Sequence, residues 1–133
     1  LGGLQVADIR SHRDLIAWQK GMDLIEQVYQ VTRRFPQDER FGLVSQIRRA
    51  AVSIPSNIAE GFGRRTKQDY MRFLDMARGS ANELDTQLQI AERLQFMPKQ
   101  QAGDLLTALD EIQRVLYGLM QAVQNNHKGR YDQ

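Results

Sequence analysis

The chain has 133 residues and a mass of 15.3 kDa, enough for one domain with a real core and too little for two. Its apolar fraction of 41% and charged fraction of 26% are those of a soluble globular protein, and its net charge of +2 names no partner. The absence of cysteine excludes disulfides, thiol catalysis and thiolate zinc sites and fits the reducing cytoplasm, where we expect the protein; no apolar run approaches the ~20 residues of a membrane span, and no segment reads as a signal peptide.

The first element is a helix. Leu15, Trp18, Met22, Ile25, Tyr29 and Thr32 recur at spacings of three and four, the expected core stripe. Ser11 with Asp14 offers a capping box at its start, and Phe35-Pro36 stops it. Residues 1–12 before it read as a flexible segment.

A second helix follows the polar turn at residues 37–40. Its stripe is Leu43, Ile47, Ala50 or Ala51, Ile54 and Ile58, and Gly61-Phe62-Gly63 breaks it. Pro55 lies inside. A stop at Ile54 would leave a second piece of barely one turn, too short to repay nucleation, so the expectation is a continuous helix kinked at Pro55. The proline frees the Ala51 carbonyl at a cost of about 3 kcal/mol, with Ser53, Ser56 and Asn57 as candidates to offset it.

A projection at about 100° per residue puts Leu43, Ile47, Ala51, Ile54 and Ile58 on one face, and Val44, Val52, Pro55, Ala59 and Phe62 on a flank roughly 60° to 140° round. That flank suggests a subunit interface; a wide core face on a central helix is the other reading.

Thr66 with Asp69 caps a third helix, whose stripe is Tyr70, Phe73 or Leu74, Ala77, Ala81, Leu84, Leu88 and Ala91. Within it Ala77, Gly79, Ser80 and Ala81 ask for close approach to helix two near residues 49–51, unless Gly79 is a tolerated surface glycine. Pro98 opens a fourth helix with the stripe Leu105 or Leu106, Leu109, Ile112, Leu116, Leu119 and Val123. Four long helices with short connections and no strand pattern specify an all-α, up-down-up-down antiparallel four-helix bundle over residues 13–124, with a flexible polar tail at 125–133.

The charge is polarised. Residues 40–78 hold eight basic and three acidic side chains, whereas residues 81–112 hold six acidic and two basic ones. Two basic groups stand out: Arg48 and Arg49 on helix two, and Arg64, Arg65 and Lys67 at the turn into helix three. Clustered cations suffice for phosphate binding, and these five residues are the candidate RNA or DNA contacts. Phe62 is the one aromatic interleaved with them, so base stacking has little support in the sequence. A solvated face with internal salt bridges competes with the binding reading.

Catalysis is not expected. Only His12 and His127 are present, no Glu-x-x-His pair of a di-iron bundle occurs, Ser53 and Ser56 have no histidine nearby, and the Gly61 to Lys67 run lacks Walker A spacing. No cofactor or metal is implied, and Glu60 reads as a hydrogen-bond acceptor for an arginine or for the amides that open helix three.

The runs DLIAWQKGMDLIEQVYQVTRRFP, FGLVSQIRRAAVSIPSNIAEGFGRR and FLDMARGSANELDTQL resemble the four-helix bundle proteins of 23S rRNA intervening sequences, and are similar to the accessory variability determinant proteins of diversity-generating retroelements. The match spans residues 14–123, and SIPSNIAEG is its most specific part. The resemblance implies a left-handed bundle assembled as a homopentamer with a basic surface. For the retroelement relatives it implies binding to nucleic acid and to a reverse transcriptase. A non-enzymatic nucleic-acid-binding oligomer is therefore the first expectation. A scaffold docking an acidic protein or a reverse transcriptase is the second.

Overall fold

The computed structural model describes residues 9–126; the expectations for 1–8 and 127–133, His127 included, lie outside the described residues. Four α-helices follow one another: α1 Ile16–Thr32, α2 Leu43–Phe62, α3 Lys67–Arg93 and α4 Lys99–Asn125. Short 3-10 turns precede α1 at His12–Asp14 and α2 at Gln37–Glu39. Among the described residues there is no strand, and no helix is long and apolar enough to cross a membrane.

Each helix lies against its chain neighbours, and α1 closes the bundle on α4. The antiparallel order is marked by side chains: Tyr29 and Thr32 of α1 meet Arg48 of α2, Ser53 of α2 meets Ser80 of α3, Gln113 of α4 donates to Asn82 of α3, and Lys20 of α1 pairs with Glu111 of α4. Short connections leave no other arrangement for helices of this length.

Local signals set the helix ends. The Ser11–Asp14 capping box is present, though it caps the 3-10 turn, and α1 proper begins at Ile16. Ahead of that turn the Arg10 and Ser11 amides both donate to the Asp14 carboxylate. The Thr66 hydroxyl accepts from the Asp69 amide at 3.1 Å, satisfying one orphan donor of α3. At the other end of α3, Gln95 adopts φ 63° while the Phe96 and Gln95 amides donate back to the Ala91 and Glu92 carbonyls, a Schellman closure on a non-glycine residue.

The stripes of α3 and α4 lie in the core, with Met120 buried beside the expected α4 set and Leu119 half-buried. Helix α1 differs from expectation. Its buried face is Ala17, Gly21, Leu24, Val28 and Thr32, while Trp18, Ile25 and Tyr29 are half-buried and Met22 is exposed. A Cβ placed on Gly21 would sit 3.3 Å from Pro55 Cβ, so α1 approaches α2 closely there, and the buried stripe that Gly21 shares with Leu24 and Val28 leaves Trp18, Met22, Ile25 and Tyr29 toward the edge.

The same contact explains Pro55. Helix α2 runs unbroken through it, and the ring is buried against the gap that Gly21 leaves. Burying its methylenes contributes about 2 kcal/mol, comparable with the cost of a helical proline. The polar candidates do something else: Ser53 Oγ lies 2.7 Å from Ser80 Oγ, and Asn57 Nδ2 donates to Ser53 Oγ and to the Ser53 carbonyl, joining α2 to α3.

The second stripe of α2 is corrected likewise. Val44, Pro55 and Phe62 are buried within the chain, as the wide core face predicts. Ala59 is half-buried and Val52 is 40% exposed. The close approach of α2 and α3 also falls elsewhere than expected. Gly79 faces open space, whereas a Cβ on Gly61 would lie 2.8 Å from Phe73 Cβ and 3.3 Å from the Tyr70 carbonyl oxygen. Gly61 is a packing residue inside α2, and the helix ends one residue later.

Candidate nucleic-acid interface

The two basic groups singled out in the sequence lie toward opposite ends of the bundle. Arg48 lies fourteen positions before the end of α2 at Phe62, about 21 Å by helical rise, and Arg64 follows just beyond that end.

At the α1–α2 turn, Tyr29, Arg40, Phe41, Val44, Ser45, Arg48, Arg49 and Val52 line a groove of about 420 Å³. A second depression of about 270 Å³ adjoins it, sharing Arg40, Val44 and Arg48 and adding Arg33, Thr32 and Phe35. Neither lining contains an acidic side chain. Arg33, Arg40 and Arg49 are exposed and form no ion pair among the described residues. Arg48 is half-buried and held: its Nε donates to Thr32 Oγ1 at 3.0 Å, and its guanidinium lies 4.2 Å from the Tyr29 ring centre. Thr32 Oγ1 in turn donates to the Val28 carbonyl, which fixes the acceptor that fixes the arginine. The guanidinium Nη atoms keep their donors for a ligand. On its far side Arg49 borders a smaller groove with Gln46, Ser53 and Glu83.

Of the carboxylates near this end, Asp38 lies on the turn just before Arg40, and Glu83 shares the smaller groove with Arg49. The Glu39 carboxylate accepts from the Leu43 amide at 3.2 Å, serving the N-terminus of α2, which has no side-chain cap of its own.

The α2–α3 turn is chemically different. Arg64 pairs with Glu60 at 3.1 Å and lies 4.4 Å over the Phe73 ring, with its Nε buried and unpartnered among the described residues. Glu60 therefore accepts from an arginine, one of its two expected roles. Lys67 Nζ donates to the Gln124 carbonyl at the C-terminal end of α4, where the helix dipole favours a cation. Arg72, on the next turn, pairs with Asp69, and its guanidinium lies 4.7 Å from the same Phe73 ring centre. Of the three residues expected to bind here, Arg65 alone is exposed and free of an ion pair among the described residues.

The bundle and its SIPSNIAEG helix match a family model, described as 23S rRNA-intervening sequence protein, over residues 13–118. The chain belongs to that family. Among solved structures, the fold is similar to a protein of unknown function from the S23 ribosomal protein family of Bacteroides thetaiotaomicron VPI-5482, with a TM-score of 0.72 at 21% identity over 80% of this chain and 99% of that one. That likeness concerns fold. No curated protein matches the sequence.

Within this family member, Arg33, Arg40, Tyr29 and Phe41 join Arg48 and Arg49 without having been expected at the site. The Arg40-Phe41 dipeptide was a readable signal, an exposed aromatic beside a cation in a turn. Tyr29 carried none, because its meeting with Arg48 depends on the register of α1 on α2. Phe62, the aromatic singled out from the sequence, is buried and packs edge-on against Tyr70.

Proposed function

We propose that this protein is a non-enzymatic nucleic-acid-binding protein that holds a phosphate backbone in the groove between Arg33, Arg40, Arg48 and Arg49. The observation that carries the reading is a concave surface with four arginines, no acidic lining residue and no internal ion pair to quench them. Guanidinium groups bind phosphate through forked donors, and such contacts need no sequence-specific partner. Charge complementarity at this one end accounts for ligand binding despite a net charge of only +2.

The protein works as an oligomer, so that several weak grooves act together by avidity. What supports this is apolar surface on the outer edge of α1 and α2, where Met22 is 41% and Val52 40% exposed, with Ala59 further along. The register that joins Gly21 to Pro55 and Tyr29 to Arg48 sets these residues on one strip. Val52→Glu should lower the mass seen by light scattering; an unchanged mass removes that strip as the contact.

The test of binding is fluorescence anisotropy of labelled single-stranded RNA and duplex DNA across a salt series. With three or four phosphates neutralised, log affinity should fall against log salt with a slope of roughly −2 to −4. Absence of binding at low salt overturns the reading and leaves the docking of an acidic protein partner.

A further inference from the structure

We propose that the ligand of this groove is a single strand of nucleic acid, whose unpaired bases stack on Phe41 while its phosphates rest on the arginines; this deepens the phosphate-binding reading and depends on it. Phe41 is 89% exposed, the most exposed of the large apolar side chains among the described residues. Its presentation is built. The Gly42 amide donates to the Glu39 carbonyl at 3.0 Å, the Arg40 amide to the Gln37 carbonyl at 3.2 Å, and the Leu43 amide to the Glu39 carboxylate, so hydrogen bonds on both sides of Phe41 fix the turn that points it outward.

Its neighbours suit a base. The Arg40 guanidinium lies 5.4 Å from the Phe41 ring centre, and the Arg48 guanidinium covers Tyr29 in the same groove. Arginine planes and aromatic faces both stack on bases, and cations along the same wall follow the backbone. A duplex hides the faces of its bases within its own stack, so Phe41 offers it nothing beyond the arginines. Every base has a π-face, so stacking here accepts a strand without reading its sequence.

The experiment uses the full chain and labelled oligonucleotides of equal length: oligo-U RNA, oligo-dT DNA, an abasic strand with the same number of phosphates, and a duplex. Both based single strands should bind about tenfold tighter than the abasic strand, within the range of about fivefold to a hundredfold per stacked base. Phe41→Ala and Phe41→Leu should erase that difference, while Phe41→Trp should preserve it. The side chain is too exposed for these changes to unfold the protein. Equal binding of based and abasic strands, a preference for duplex, or a Phe41→Ala variant that still discriminates would overturn the stacking proposal and leave phosphate binding standing. No binding of any strand at low salt would overturn both. Tighter RNA than DNA with Phe41→Ala sensitivity intact supports stacking and identifies RNA as the strand.

Discussion

The two ends of the bundle carry similar numbers of cations and put them to opposite uses. At the α2–α3 turn, Arg64, Lys67 and Arg72 are held by Glu60, the Gln124 carbonyl and Asp69, with Phe73 under both guanidinium groups. At the α1–α2 turn, Arg33, Arg40 and Arg49 face solvent, and Arg48 is held only by neutral partners, a hydroxyl and an aromatic ring. Basic density along a sequence is therefore a poor guide to binding. Availability depends on which acceptors the fold brings within reach, and an arginine held by a neutral partner keeps its charge for a ligand while one held by a carboxylate does not.

The sharpest way to break the comparison is at the closed end's packing. Gly61→Ala drives a methyl group to 2.8 Å from Phe73 Cβ and 3.3 Å from a main-chain oxygen, neither of which is the far end of a flexible chain. It should destabilise the protein by about 2 kcal/mol or more in urea unfolding, even after the helix-propensity gain of about 1 kcal/mol. Gly79→Ala has open space around it and should gain up to about 1 kcal/mol. Equal effects at the two positions would show that the α2–α3 contact at the turn is not tight.

Next is charge removal at each end in turn. Arg40→Gln/Arg49→Gln should weaken single-strand binding about tenfold at low salt and flatten the salt slope by roughly 1.4, two phosphate contacts' worth. Arg64→Gln/Arg65→Gln should change affinity less than about threefold, because only Arg65 is free to meet a phosphate. The reverse ranking in an anisotropy titration would move the site to the closed end.

How much of this could be read beforehand differs by element. The stripes of α3 and α4 were legible because large apolar residues recur at helical spacing on faces that one bundle can bury. Helix α1 was misread because its buried stripe joins the small Ala17 and Gly21 to Leu24 and Val28, while the neighbouring stripe carries the larger Trp18, Met22, Ile25 and Tyr29 and so looks more apolar in the sequence. The same pair of facts hid the role of Pro55, whose ring needs a glycine thirty-four residues earlier, a match that no local pattern displays. At the candidate site, Arg48 and Arg49 were found from charge alone. Tyr29 comes from α1 and Arg33 from the residue that caps its end, and only tertiary register brings them to α2.

A smaller effect separates holding from binding within the arginines. Arg64→Ala removes an i,i+4 pair and the cover over Phe73, interactions of a half-exposed side chain that together amount to about 1 kcal/mol or less. Arg49→Ala removes no internal partner and should leave unfolding unchanged within about 0.5 kcal/mol. Urea midpoints that fell equally for both would mean Arg49 is engaged in the folded chain and is less available to a ligand than its surroundings indicate.

The smallest expected effect lies at the open end, where the α3–α4 loop meets the α1–α2 turn through Phe96 and Phe35, ring centres 5.6 Å apart. Gln95 closes α3 in the left-handed region at φ 63°, where a side chain's Cβ crowds the following carbonyl and glycine's absence of one removes the penalty. Gln95→Gly should therefore raise stability by about 0.5 kcal/mol, the relief of backbone strain being partly offset by glycine's greater freedom in the unfolded chain. Since the substitution leaves every groove arginine in place, strand affinity should stay unchanged while the urea midpoint rises. A loss of affinity instead would show that the α3–α4 loop, acting through Phe96 and Phe35, helps to hold the groove in shape.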